Sequence, residues 1–394
     1  MDKRDVRRNG GQIQKPKNKW KVVLLISILL SVFVYYQVYV LLRYTTGKSV
    51  TEGQMTVYKW IAGAVHKTET VTEKQTLKIG VAGNIIIDEE VTNEYIQNGK
   101  GNYGDIFENI SFKDYDFTIA SLNTGIAQGN NTFSKGKANS NLSSTLKDIN
   151  IDLLVTSTKE LGKLSSDNLK QTVSSVNSNE IKTVGSTEKE SYYILDKNGI
   201  KVAILGYVGE EYSSGNGISE FTSKKFEDDI KEINSHKVDC IIVFVDTKRS
   251  GEKNVEAEKT KLLENIINLG ADIVISNDNV EQKLSEKEVK EGKNIKTTYI
   301  KYSLGDVIGK QTSENSDVSK VLGITIEKET GKKGNEVRIN VNDDKTLVAL
   351  SNDIKTKYKI VELDKVINEY DSGNEAVLSL AEYNYLKQIK DNIK

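Results

Sequence analysis

Residues 262–276 read LLENIINLGADIVIS, and this short run holds the repeating unit of the fold. Leu262, Leu263, Ile266 and Ile267 recur at three- and four-residue spacing, which places them on one face of a helix. Gly270 supplies the residue without a Cβ that helix ends favour, and Asp272–Ile275 then reads as a short apolar strand. A helix that must bury one stripe and a strand that must bury both faces satisfy each other when helices cover a sheet.

The alternation extends outward in both directions. Short apolar runs recur as KIGVAG (78–83), FTIASL (117–122), DLLVTS (152–157), KVAILGY (201–207), DCIIVFV (239–245), DIVIS (272–276) and TYIKYSL (298–304), separated by longer amphipathic stretches. This predicts an α/β domain over residues 77–312. After Val321 the pattern changes to VLGITIEKE, a GKKGNE turn and VRINVN, which predict an antiparallel hairpin. Leu378, Ala381, Tyr385, Leu386, Ile389 and Ile393 then mark one side of a terminal helix, so residues 313–394 are expected as an extension packed on the domain. The Ser/Asn-rich stretch from Asn130 to Ser144 reads as a surface loop, and there is no internal repeat at a period of tens of residues.

The N-terminus is of another kind. Val22–Leu42, VVLLISILLSVFVYYQVYVLL, carries no charge and at 1.5 Å per residue is long enough for about 30 Å of hydrocarbon. Lys3, Arg4, Arg7, Arg8, Lys15, Lys17, Lys19 and Lys21 precede it against Asp2 and Asp5, which by the positive-inside rule puts residues 1–21 in the cytoplasm. Trp20, Tyr35, Tyr36, Tyr39 and Tyr44 lie toward the two ends, where amphipathic rings favour the interface. A cleaved signal peptide would have a shorter apolar region and a small-residue cleavage site, whereas this run ends Tyr-Val-Leu-Leu-Arg. The expectation is a single-pass anchor over residues 22–43, a polar stalk over 44–76, and the remainder of the chain outside the cell membrane.

Lys plus Arg number 55 against 56 Asp plus Glu, so no basic stripe is available for nucleic acid. Cys240 is the only cysteine and sits within an apolar run, which excludes a disulfide inside the chain and reads as a small core residue. The only histidines, His66 and His236, fall in the stalk and in a polar helix, and read as surface or packing residues.

Sites on open α/β sheets form where strands end at their carboxyl edges. The residues at those ends are Asn84, Ser121 with Asn123, Thr158 with Glu160, Asp246, Asn277 with Asp278, and Asp306. The set is rich in oxygen and lacks imidazole and thiol. Glu160, Asp246, Asp278 and Asp306, with Asn84 and Asn123, are hard ligands of the kind that suits calcium, magnesium or manganese. Asn and Asp after strands are also frequent caps and turn residues, and Lys159, Lys163 and Lys248 bring positive charge to the same edge. The charged stretch Lys248–Lys261 reads as a solvated loop and helix.

The order of these segments resembles the CapA family of poly-gamma-glutamate capsule proteins, whose domain is similar to calcineurin-like metallophosphoesterases. The resemblance runs from Leu77 to Gly309. The family's Gly-Asp after the opening strand looks like Gly83-Asn84, and its Ala-Asn-Leu-Glu-Thr looks like Ala120-Ser121-Leu122-Asn123-Thr124. Its Ala-Asn-Asn-His falls on Ser157-Thr158-Lys159-Glu160, and the helix start that follows falls on Asn168–Thr172. Its strand ending in His-Trp-Gly is matched by DCIIVFV and Asp246-Thr247-Lys248. Gly-Ala-Asp-x-Val-Ile with a His-Pro-His cluster is matched by Gly270–Ile275 and then Ser276-Asn277-Asp278-Asn279, and Tyr-Ser-Leu-Gly-Asn-Phe by Tyr302–Val307. The framework is kept and the histidines are not. The resemblance implies a calcineurin-like α-β-β-α sandwich, on which Asn84, Asn123, Glu160, Asp246, Asn277, Asp278 and Asp306 are vestigial site positions. A two-metal hydrolase needs imidazoles and carboxylates around two cations that sharpen a bound water.

Two functions follow as expectations. One is a non-catalytic, membrane-anchored protein that supports capsule or poly-gamma-glutamate synthesis or export by holding synthase or export proteins, or the anionic polymer itself, and that takes no cofactor. The other is a hydrolase of phosphoester or polymer amide bonds that uses manganese, magnesium or calcium on Glu160, Asp246, Asp278 and Asp306.

Overall fold

The computed structural model describes residues 19–46, 73–89, 91–92, 103–127, 137–187, 191–209, 218–291, 294–309, 316–331, 334–350 and 358–393. The chain divides into two compact units, Met1–Val71 and Thr72–Lys394. In the first, helix α1 runs over Lys19–Thr46. Its large apolar side chains from Leu24 to Val38 are exposed, Leu25 at 62%. Among the described residues no helix is long and apolar enough to cross a membrane. His66 and most of the expected stalk lie outside the described residues.

In the second unit the elements, in chain order, are β1 (Glu73–Ile85), α2 (Gly104–Phe107), β2 (Phe117–Leu122), β3 (Gly125–Ile126), β4 (Lys137–Ala138), α3 (Asn141–Asp148), β5 (Leu153–Val155), α4 (Lys159–Gly162), α5 (Ser166–Asn177) and β6 (Lys182–Val184). They continue with β7 (Tyr192–Lys197), β8 (Ile200–Val208), α6 (Ser223–Ser235), β9 (Cys240–Asp246), α7 (Ala257–Asn268), β10 (Ile273–Ser276), β11 (Glu281–Glu291), β12 (Asn294–Leu304) and β13 (Asp306–Ile308). The last are β14 (Val318–Gly331), β15 (Gly334–Leu350), β16 (Lys359–Glu362), α8 (Leu363–Asp371) and α9 (Leu380–Ile393).

The strands build two main sheets. One has the order β16-β15-β14-β1-β2-β5-β6 with β13 beside β1, and the other the order β11-β12-β10-β9-β8-β7. The neighbours β1, β2, β5 and β6 are parallel, as are β8, β9, β10 and β12, while antiparallel strands flank both runs.

Period-two patterning assigns each strand face to a layer. Along β8, Ile200, Val202 and Ile204 enter the core between the sheets, while Ala203, Leu205 and Tyr207 face outward. Along β9, Cys240, Ile242 and Phe244 take the inner face and Ile241, Val243 and Val245 the outer. The outer face is covered by Phe226 and Ile233 of α6 and by Leu263, Ile266 and Ile267 of α7, the stripe read from the sequence. On the other sheet, Leu142, Leu146, Leu169 and Val176 of α3 and α5 pack against Ala82, Ala120 and Leu154. The order is therefore helices, sheet, sheet, helices, the α-β-β-α sandwich the resemblance implies. Each large aliphatic side chain removed from water in these layers contributes about 1.5–3 kcal/mol.

Three features depart from the sequence reading. Residues 318–350 form the predicted hairpin, but β14 also pairs with β1 from Glu73↔Thr330 to Val81↔Leu322, so this segment is part of the larger sheet. Only α8 and α9 form an appended layer, around Leu363, Val366, Leu378, Leu386 and Ile389. Second, Asn141–Ser144, read as loop, open α3, and Leu142 and Ser143 are buried there. Third, the strand Glu281–Glu291 was not foreseen, because EQKLSEKEVKE alternates charges along a sheet edge, where charge discourages pairing with another chain.

Candidate functional site

The carboxyl ends of the parallel strands from both sheets meet along one edge, and two glycines set how closely they do so. A Cβ on Gly83 would lie 2.0 Å from the Gly305 carbonyl oxygen, and Gly305 itself has φ +77°. Only glycine tolerates both the approach and the left-handed turn. There the chain leaves β12 in one sheet and enters β13 in the other, the Asn84 N–H donates to the Gly305 carbonyl at 3.1 Å, and Asn84 stands opposite Asp306. The Gly-Asn and Leu-Gly-Asp segments thus form a joint between the sheets.

From that joint a hydrogen-bonded chain runs through the site. Asn123 Nδ2 donates to Asn84 Oδ1 at 2.9 Å, and Asn84 Nδ2 donates to Asp306 Oδ1 at 2.8 Å and to the Asp278 carbonyl at 3.2 Å. Arg249 Nη1 approaches the same Asp306 oxygen at 3.7 Å. On the second sheet, Asn277 Nδ2 donates to Asp246 Oδ1, the Lys159 N–H donates to Asp246 Oδ2, and Thr247 N–H donates to Asn277 Oδ1 at 2.9 Å. Asp278, at 0% exposure, accepts from the N–H groups of Ser250, Gly251 and Asn279 and from the Ser250 hydroxyl, all within 3.0 Å. Lys259 Nζ donates to the Asn277 carbonyl at 2.8 Å and to Gln282 Oε1 at 2.9 Å, and lies 4.0 Å from Asp278.

Six of the seven positions singled out in the sequence therefore converge: Asn84, Asn123, Asp246, Asn277, Asp278 and Asp306. Glu160 does not join their hydrogen-bonded chain; its carboxylate is 47% exposed and pairs with Lys163 at 2.6 Å. Thr158 donates its hydroxyl to the Leu122 carbonyl and so ties two strand ends together.

Lys248–Lys261, expected as a solvated stretch, instead turns two of its cations inward. Arg249 and Lys259 both come from it, Lys259 is 7% exposed, and both turn toward the acids. A signal for Lys259 was present, since it stands three, four and seven residues before Leu262, Leu263 and Ile266 and so shares their buried face. Arg249 had none beyond its nearness to the end of β9. Asp88, whose Oδ1 accepts from the Val91 N–H at 2.9 Å, was also missed.

Burial sets the electrostatics. It pushes the Asp306 carboxyl up to about 6, with Asp278 and Asp88 adding in the same direction and Arg249 and Asn84 opposing. Burial also raises Asp246, against Arg249, the Lys159 N–H and Asn277. Lys259 is brought down to about 8 by burial, with Asp278 and Asp246 opposing. Arg249 is the shared neighbour, acting on both acids and on Lys259.

This arrangement does not fit a divalent-cation centre. The Asp278 oxygens are engaged by N–H and O–H donors, and the amide NH₂ groups of Asn84 and Asn277, not metal-ligating oxygens, face Asp306 and Asp246. Among the described residues no group of three His, Cys, Asp or Glu side chains is placed to hold a metal ion. A cavity of about 20 Å³ remains beside Asp246, lined also by Ser121, Ser157, Thr158, Ser276 and Asn277. That is room for about one water molecule. Ser157 Oγ is buried there without a hydrogen-bond partner.

Comparison with solved structures finds Vps29 of Entamoeba histolytica complexed with zinc, at 9% identity, 66% of this chain, 98% of that chain and TM-score 0.22. It also finds Vps29 of Chaetomium thermophilum, at 10% identity, 68% of this chain, 97% of that chain and TM-score 0.22. No curated protein matches the chain. The model of the bacterial capsule synthesis protein family, PGA_cap, matches residues 78–311, from the first parallel strand to just beyond the Gly305 joint. With more than half its length matched, the chain belongs to the bacterial capsule synthesis protein family.

Proposed function

We propose that this family member is a membrane-anchored, extracytoplasmic protein that supports synthesis or export of a capsule polymer, such as poly-gamma-glutamate, without hydrolysing it. The observation that carries this reading is the state of the strand-end acids. Asp246, Asp278 and Asp306 are engaged by side-chain amides, N–H donors and Arg249, and the space beside Asp246 has room for about one water. A hydrolase of this fold would have to present those acids to cations and admit a phosphoryl group or a polymer segment. What the fold offers instead is a two-sheet body, and residues 22–42 supply an uncharged segment suited to holding it at a bilayer, with the basic N-terminus in the cytoplasm.

The partners of this reading are membrane synthase or export proteins and the anionic polymer; nucleic acid is not among them. The test is affinity capture of the intact chain from solubilised membranes of the native bacterium. Recovery of polymer synthase or transport components is the expected result. Recovery of none, together with cation-dependent cleavage of a phosphoester or of polymer by the purified chain, would favour the hydrolase.

A further inference from the structure

Three aspartates at less than 9% exposure along one sheet edge cannot all be ionised without opposite charge close to them. In a two-metal centre the cations supply it. Here the residues between β9 and α7 form a strap across the same edge. Thr247 bonds Asn277 and Ser276, Ser250 and Gly251 bond the Asp278 carboxylate, and Gln282 Nε2 donates to the Glu252 carbonyl at 2.8 Å. Arg249 lies between these anchor points, so the strap fixes its guanidinium with Nη1 3.7 Å from Asp306 Oδ1. Arg249 Nη2 and Asn123 Oδ1 are both buried without hydrogen-bond partners. Asn123 is 3% exposed and belongs to the chain that ends on Asp306.

We propose that the strap at residues 247–252 is a built-in plug, whose Arg249 guanidinium, seconded by the Lys259 ammonium, takes the place of divalent cations as counter-charge to Asp246, Asp278 and Asp306. The inference deepens the non-hydrolytic reading and rests on it: a site that carries its own cations keeps the fold's geometry with no metal to lose. Asp278, a vestigial site position in the resemblance, holds the strap. Asp306 receives the charge the strap delivers.

Thermal unfolding of the purified intact chain at pH 7 tests this, with 1 mM manganese chloride and with 1 mM EDTA. The wild-type midpoint is expected to be the same in both. Arg249→Met is expected to lower it by about 5 °C, because acids are left without their counter-charge. Asp306→Asn placed on Arg249→Met is expected to recover at least half of that loss, and should fold even where the single variant does not. A wild-type midpoint raised by manganese, an Arg249→Met midpoint equal to wild type, or a double variant no more stable than the single would each overturn the plug. Partner capture is read separately, so a manganese response would sink the plug without deciding whether the chain binds envelope proteins.

Discussion

Asp278 and Asp306 sit at neighbouring strand ends, at 0% and 3% exposure, yet they solve burial in opposite ways. Asp278 is wrapped by local donors, three N–H groups and a hydroxyl, and holds a loop in place. Asp306 accepts a hydrogen bond from Asn84, with a guanidinium 3.7 Å away. The first carboxylate is a structural clamp, and its negative charge is distributed over aligned dipoles. The second is a charge held in place by a charge. Residue type and depth are nearly the same and each has a cation nearby, Lys259 at 4.0 Å and Arg249 at 3.7 Å; what differs is that only Asp278 is also wrapped by three N–H groups and a hydroxyl.

The contrast is broken most directly at the clamp. Asp278→Ala leaves Ser250, Gly251 and Asn279 donors without an acceptor and releases the strap, so it should cost about 3–5 kcal/mol in chemical denaturation. A cost below about 1 kcal/mol would mean that the loop holds itself.

At Asp306 the same kind of change should have the opposite sign. Its folded pKa, about 6, lies above the ordinary carboxylate value of 3.8, so the folded state binds more protons between those limits. Stability contributed by this group is greatest near pH 4 and is lost as pH rises toward 6; Asp246 acts in the same sense. Asp306→Asn keeps an acceptor for Asn84 and should flatten part of this fall, with a gain of about 1–2 kcal/mol at pH 7. Unchanged pH dependence in melts from pH 4 to 7 would contradict the burial argument.

Lys259 sharpens the comparison from the cationic side. Its pKa is lowered to about 8 from 10.5, so stability should rise as pH climbs through that interval, where the folded state has already released its proton. Lys259→Met should remove this rise and change stability at pH 7 by about 1 kcal/mol, since a buried charge and two hydrogen bonds are lost together. The smallest effect belongs to Glu160→Gln, which breaks an exposed pair with Lys163 and should stay within about 0.5 kcal/mol.

Much of this was legible in the chain. Short apolar runs located the central strands and period-3.6 patterning located α7, while Gly83-Asn84 and Leu304-Gly305-Asp306 stood out only as segments of the family resemblance; that they form a joint needed the close approach of the two glycines. The edge strand at Glu281–Glu291 was hidden by its own charges. Glu160 stood at the right place in the segment order, but α4 presents it to solvent, which order along a chain cannot reveal. Arg249 was invisible for a related reason. A cation three residues past a strand looks like any loop residue until the strap's hydrogen bonds to Asn277 and Asp278 fold it back over the acids.

An anchored, non-hydrolytic role for this capsule-family chain can be read in the native bacterium itself. Polymer output of the native bacterium, with its own copy replaced by Asp246→Asn/Asp306→Asn or by a chain lacking residues 1–43, measures that role most directly. Wild-type capsule is expected from the double variant, and loss of capsule from the truncated chain. Loss of capsule in the double variant, with the protein present in the membrane at wild-type level, would contradict it.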